Sequence, residues 1–212
     1  MKLSLLGKKV GMTQVYDKTG LALPVTVVQL GDNIVTAKLS KENNGYSAIQ
    51  VGGFKTTEKK LNKPEMGALK KNSVPAVKPL KEFRVDNPDE FTIGDAIKPE
   101  SILKEDMLVD VRGSSIGKGM QGTIKRWNAG RGPMAHGSKF HRSMGSIGAG
   151  TTPGRVYRGT HMPGKMGNRN VCQRHLKVVK VDSEKGLLYV KGAVPGVEGG
   201  LLVITPSKTK WN

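Results

Sequence analysis

"HLKVVKVDSEKGLLYVKGAVPG", residues 175–196, reads as a β-hairpin whose strands lie on either side of Ser183–Gly186. Downstream, "LLVITP" (residues 201–206) reads as a last strand ended by Pro206. The first fifty residues have the same character. "GMTQVYDKTG" (residues 11–20) predicts a strand entering a turn at Lys18-Thr19-Gly20. "LPVTVVQL" (23–30) and "IVTAKL" (34–39) are rich in β-branched residues and are split by the turn signal "GDN". "NNGY" (43–46) then separates "IVTAKL" from "SAIQVGGF" (47–54). Closely spaced strands of this kind predict an antiparallel sheet or small barrel, so the fold class is mainly β with minor α.

One helix stands out, in "NKPEMGALKKN" (62–72). Asn62 can cap it, Pro64 sits in its first turn, and Lys70 and Lys71 lie near its C-terminus, while Gly67 weakens it. From Glu82 to Asp110 the chain holds nine of its 17 acidic residues and reads as body surface, broken by Pro88 and Pro99. "MLVDVRG" (107–113) and "GTIKRW" (122–127) read as strands joined by the loop "SSIGKGMQ". The expected architecture is a β body made of residues 1–127 and 171–212, with a short helical insertion near 62–72. A long irregular excursion, residues 128–170, leaves that body and returns to it.

The charge pattern separates these two parts. The 212-residue chain has 35 Lys+Arg against 17 Asp+Glu, a formal net charge of +18. Between Asp110 and Asp182 lie 71 residues with no acid, 14 Lys+Arg, all four His and 14 of the 28 Gly. The remaining residues are close to neutral. An excess of this size, in one place, points to a polyanionic partner through long-range attraction and counterion release. Cys172 is the only cysteine, which excludes an internal disulfide and fits a reducing compartment. The apolar run in "MKLSLLGKKVGM" is too short for a signal peptide, and no stretch approaches a membrane span. A soluble cytoplasmic protein is expected.

From Asn128 to Asn170 the only Val, Ile, Leu or Phe residues are Phe140, Ile147 and Val156. Ordering a backbone costs roughly 1–2 kcal/mol per residue. Three buried side chains return only about 1.5–3 kcal/mol each. The segment should therefore not fold alone; something outside the chain orders it, or it stays disordered. Its composition suits RNA. Arg131, Arg142, Arg155, Arg158 and Arg169 offer planar forks for phosphates and base edges, and Lys139 and Lys165 supply point charges. Trp127, Phe140, Tyr157, His136, His141 and His161 can stack on unpaired bases. Glycines permit close approach, and Pro133, Pro153 and Pro163 stiffen the path. A flexible basic linker would not ordinarily carry so many interspersed aromatic, Met and His residues.

Other chemistries find less support. "GSSIGKG" (113–119) would need Gly at the position of Arg112 and Ser or Thr at that of Gly119 to be a phosphate-binding P-loop. His136 and His141, with Cys172 and His175 in a C-x-x-H spacing, lack the paired spacing of a zinc site. No Ser-His-Asp or paired-carboxylate constellation stands out. No metal, cofactor or small-molecule substrate is expected. The alternatives are a free RNA chaperone or nucleic-acid condenser, and a zinc enzyme using His136, His141, Cys172 or His175.

These residues resemble the bacterial ribosomal protein L3 family, over essentially the whole chain. "GKKVGMTQVYD" (7–17) is similar to that family's N-terminal motif. "DVRGSSIGKGMQGTIKRW" (110–127) is similar to its signature segment, including Asp110, Gly113, Ser115, Gly117, Lys118, Gly119, Gly122 and Arg126. "HGSKFHRSMGSIG" (136–148) and "TPGRVYRGTHMPGKMGN" (152–168) are similar to its long loop, and "VKGAVPG" (190–196) to its C-terminal strand region.

The resemblance implies a translation-protein-type β-barrel at the surface of the large ribosomal subunit. It implies direct, early binding to the large-subunit (23S-type) rRNA near its 3′ part, and an extension running toward the peptidyl transferase centre. The RNA-facing set then extends to Lys118, Lys125 and Arg126, and to Ser143, Gly145, Ser146, Gly148, Gly150 and Thr151 around the tip, residues 143–153. Implied protein neighbours are the large-subunit proteins L14 and L19; neither a homo-oligomer nor an enzyme is implied. Some bacterial members carry a methylated glutamine in a "GSIGQNQTPG" context. Here "GSIGAGTTPG" (145–154) has Ala149, Gly150 and Thr151, so that modification is not expected.

Overall fold

The hairpin predicted at residues 175–196 is present in the computed structural model, which describes residues 3–207. Strands β9 (Asn170–Asp182) and β10 (Leu187–Lys191) pair antiparallel, with Leu187 opposite Asp182. The turn is held by the Lys185 N–H, which donates to Asp182 Oδ1 at 3.1 Å.

The remaining strands of the body are β1 (Leu5–Tyr16), β2 (Ala22–Leu30), β3 (Ile34–Leu39), β4 (Ala48–Lys55), β5 (Val77–Arg84), β6 (Leu108–Ser114) and β11 (Leu201–Pro206). Six of them hydrogen-bond in a closed antiparallel ring, in the order β1–β11–β6–β9–β10–β2 and back to β1. Closing the ring leaves none of the six with an open edge. β3, β4 and β5 form a separate three-stranded antiparallel sheet with β4 in the middle. A single helical turn, α1 (Lys41–Asn44), takes in the first two residues of "NNGY", and the helix expected near 62–72 is α2 (Lys63–Lys71). Glu65 closes its capping box by accepting from the Asn62 N–H at 3.1 Å.

Alternation along the strands builds the core. Val109 and Val111 of β6, Leu188 and Val190 of β10, and Leu202 and Ile204 of β11 point inward and meet Leu5, Val28 and Val178. Neighbouring Leu5 and Leu6 are both fully buried because β1 has two covered faces. Leu5 joins the ring interior, whereas Leu6 packs with Ile49, Val51 and Val85 on the side of the three-stranded sheet. The acidic stretch from Glu82 to Asp110 is surface for most of its charges, yet it also buries Val85 and sends Leu103 into the ring interior.

One expectation is corrected. "GTIKRW" is not a strand: Thr123–Trp127 is a helix, α3. Gly122 enters it in an extended conformation, the Arg126 N–H bonds back to the Gly122 carbonyl at 3.0 Å, and Asn128 ends it with a left-handed φ of 57°. A helix of five residues has too few turns to show a period in sequence. The loop "SSIGKGMQ" also contains structure, since Gly119–Gln121 forms β7.

By its internal contacts the chain divides into two compact units: residues up to Ser114 together with those from Asn170 onward, and Ser115–Arg169. The second unit therefore begins ahead of the excursion outlined from sequence, and α3 belongs to it.

Candidate nucleic-acid interface

The second unit starts from a short ladder. β7 pairs antiparallel with β8 (Gly164–Met166), with Gly119 opposite Met166 and Gln121 opposite Gly164. Towards the chain ends the Lys118 N–H bonds to the Met166 carbonyl at 2.9 Å and the Ser115 N–H to the Arg169 carbonyl at 2.9 Å. Ser115 Oγ accepts from the Arg169 N–H at 3.2 Å. Gly167 has φ +75°, and a Cβ there would fall on the Ile116 carbonyl oxygen, so glycine is required on both counts.

Above this ladder α3 adds a clamp. Arg126 Nη1 and Trp127 Nε1 both donate to the Met162 carbonyl, at 2.7 and 2.9 Å. The Trp127 ring stacks on His161, and the Arg126 guanidinium lies 5.0 Å from the indole centroid. Three residues proposed from sequence are thus brought together by an element that sequence misread. The Met162 carbonyl, to which Arg126 and Trp127 both donate, carries no side-chain signal and was not legible.

From residue 128 to 163 the described chain has no helix or strand; short local bonds shape it. The Gly132 N–H donates to the His141 carbonyl at 2.9 Å, and His141 Nδ1 lies 3.0 Å from the Pro133 carbonyl. A carbonyl only accepts, so Nδ1 carries the proton there. Near the tip Ser146 Oγ donates to the Gly148 carbonyl at 3.0 Å, and the Gly154 N–H to Gly150 at 3.1 Å. Thr160 Oγ1 donates to the Tyr157 carbonyl at 2.7 Å, and the Arg155 guanidinium sits 5.7 Å from the Tyr157 ring.

Of the residues proposed to face RNA, Arg126 and His141 are half-buried and the rest are exposed: Lys118, Lys125, Trp127, Arg131, His136, Lys139, Phe140, Arg142, Ser143, Gly145, Ser146, Gly148, Gly150, Thr151, Arg155, Tyr157, Arg158, His161, Lys165 and Arg169. No described residue from Ile124 to Lys177 is buried. The unit holds ten Lys+Arg and no carboxylate, and none of these cations makes an ion pair among the described residues. Apolar side chains are also left in the open, including Ile116, Met120, Met134, Met144, Ile147 and Val156. Of these, the methionines stand in plain view in an acid-free sequence, yet they read as composition rather than as contact residues. Among the described residues no group of three or more His, Cys, Asp or Glu could hold a metal ion. His175 lies instead with Nδ1 3.0 Å from Ser207 Oγ.

Residues 82–188 match the family described as ribosomal protein L3. The chain is 52% identical over 208 residues to the large ribosomal subunit protein uL3 of Trichormus variabilis, covering 98% of each chain. It is 49% identical over 208 residues to that of Nostoc punctiforme, covering 98% of this chain and 99% of the relative. To that of Acaryochloris marina it is 50% identical over 207 residues, covering 98% and 97%. With 98% of its sequence matched and its acid-free unit lying wholly inside the matched family region, the chain belongs to the ribosomal protein L3 family.

Proposed function

We propose that this chain, a non-enzymatic structural protein of the large ribosomal subunit, binds the 23S-type rRNA directly through residues 115–169. The observation that carries this reading is a unit of ten cations and no carboxylate, with no buried residue from Ile124 to Lys177. Such a segment gains its packing from a polyanion that closes around it. The six-stranded ring acts as a translation-protein-type barrel at the subunit surface. The excursion runs through RNA toward the peptidyl transferase centre, with its tip at residues 143–153. Binding occurs early in assembly, near the 3′ part of the rRNA, and the protein neighbours are L14 and L19.

The chemistry divides by residue type. Arg131, Arg142, Arg155, Arg158 and Arg169 form bidentate contacts to phosphates and base edges, while Lys118, Lys125, Lys139 and Lys165 neutralise phosphates as point charges. Phe140, Tyr157 and His136 offer faces to unpaired bases. Gly145, Gly148 and Gly150 leave room for RNA to lie against the backbone, and Ser143, Ser146 and Thr151 offer hydroxyls.

The test is binding of the full chain to a large-subunit rRNA transcript across a salt series. Affinity should fall steeply with salt, and the combined Arg131→Ala, Arg142→Ala, Arg155→Ala and Arg158→Ala variant should bind at least tenfold more weakly with a shallower slope. Salt-insensitive binding, or a variant equal to wild type, would sink the reading.

A further inference from the structure

A second cationic surface lies in the other unit. From Lys55 to Lys78 the chain carries seven lysines, two glutamates, no arginine and no aromatic residue. All seven lysines are exposed. Three make loose pairs, each at 3.9 Å: Lys55 with Asp32, Lys70 with Glu58 and Lys78 with Glu65. Lys59, Lys60, Lys63 and Lys71 have no carboxylate partner among the described residues.

Local structure brings these residues close together. At about 3.6 residues per turn, Lys63, Gly67 and Lys70 fall on one stripe of α2, with Lys71 beside it. Leu69 points the other way and is buried with Ile34, Val74 and Val77, which fixes the rotation of the helix. The Glu58–Lys70 pair shows that the 3-10 turn Glu58–Lys60 lies beside the C-terminal end of α2.

Gly67 supplies an independent observation. It sits inside the helix, where glycine is destabilising. A Cβ built on it would meet nothing within 4 Å, and its φ is not positive. Neither packing nor backbone conformation within this chain calls for a glycine there. It lies at the middle of the lysine stripe, where a bare helix surface lets another backbone come close.

We propose that Lys59, Lys60, Lys63, Lys70 and Lys71, around Gly67, form a second RNA contact that seats the phosphate backbone of a ribosomal RNA helix. The side chains favour RNA over an acidic protein. Protein interfaces deplete lysine and enrich aromatic residues, Met and Arg. No large apolar side chain is exposed from Lys55 to Lys78. Phosphate contact needs only point charges on a rigid support, and such contacts carry register rather than sequence information. This surface therefore positions the body on RNA, whereas residues 115–169 carry the arginines and rings suited to base edges.

The experiment uses the full chain and a large-subunit rRNA transcript. The combined Lys59→Ala, Lys60→Ala, Lys63→Ala and Lys71→Ala variant should keep its circular dichroism and melting curve. It should lose at least tenfold in affinity near 0.1 M salt, with a log–log salt slope shallower by about 3.5, from the loss of four phosphate contacts on a helix. Lysine acetylation footprinting of the wild-type chain should show Lys59, Lys60, Lys63 and Lys71 protected when RNA is bound. Gly67→Leu should weaken binding several-fold without lowering the melting temperature. Unprotected lysines together with an unchanged slope would overturn this proposal alone. A wild-type chain that failed to bind the transcript at all would sink the reading of residues 115–169 with it. A crosslinker placed at residue 67 that captured protein rather than RNA in assembled subunits would also overturn it.

Discussion

The indole of Trp127 lies flat on the imidazole of His161, with ring centroids 4.2 Å apart and planes within 4° of parallel. Together with the two donors on the Met162 carbonyl, this contact joins the two strands of chain that enter and leave the loop. A ring pair of this kind is worth about 0.5–1.5 kcal/mol and a hydrogen bond about as much again. Trp127→Ala should therefore speed amide exchange in β7 and β8 roughly tenfold. The melting temperature of the ring should stay the same, because no residue of its core clusters comes from this unit. RNA affinity should fall as well, since the loop loses its fixed base. Unchanged exchange in β7 and β8 would show that the clamp does not hold the ladder.

Asn33 offers a test of the body. It is fully buried with φ +47°, and its side chain stands in for a strand beside Leu6. Oδ1 accepts from the Leu6 N–H at 2.7 Å, and Nδ2 donates to the carbonyls of Leu6 at 3.2 Å and Gly31 at 2.8 Å. Asn33→Ala leaves the Leu6 N–H unsatisfied and gives up asparagine's tolerance of the left-handed region. The expected loss is about 2–4 kcal/mol in a denaturant melt. Asn33→Gly removes the backbone part of that loss, so it should be milder than Ala; an equal or larger loss would contradict this division.

Excision of residues 115–169 makes a third check. Ser114 and Asn170 are cross-strand partners at the ends of β6 and β9, so a short turn can join them. The shortened chain should keep its strand signal and melt cooperatively, while losing at least a hundredfold in rRNA affinity. An unfolded product would mean that the ring depends on the excised unit.

The fourth concerns pH. Lys177 Nζ lies 2.7 Å from Asp106 Oδ1. The hydrogen bond to Lys177, helped by its charge, holds the Asp106 carboxyl below the ordinary aspartate value; the same contact raises Lys177. The depressed Asp106 value means that its contribution is present above the unfolded aspartate range and is lost as pH falls through the folded value. The raised Lys177 value means the reverse, a contribution present below the ordinary lysine range and lost as pH rises through the folded value. Lys177→Ala should move the Asp106 titration, followed by carboxyl NMR, upward toward the ordinary aspartate value. Both groups are solvent-exposed, so added salt should move it in the same direction.

Much of this molecule was legible one segment at a time. β1 to β4, the hairpin β9–β10 and β11 follow from β-branched runs between turn residues, and α2 from Asn62 and Pro64 at its start and Lys70 and Lys71 near its end. These signals are local, and local chemistry produces them. The acid-free stretch from Asp110 to Asp182 was likewise legible, because charge needs no fold to be counted. α3 was not legible: five residues with β-branched Thr123 and Ile124 look like strand, and only the bonds from Arg126 and Trp127 to Met162, more than thirty residues away, give the helix its use.

The amino-acid sequence by itself determined a β-rich body, one capped helix and a cationic glycine-rich segment with too few apolar groups to form a core. Tertiary structure decided the rest. It set the ring order β1–β11–β6–β9–β10–β2, in which distant strands become neighbours. It sent Leu5 and Leu6 to opposite cores, buried Asn33 as a backbone partner, and brought Arg126 and Trp127 to one carbonyl with His161 stacked on the indole. The reason is physical. Periodicity and turn chemistry act over a few residues, whereas strand pairing and the satisfaction of buried polar groups depend on which segments meet in space.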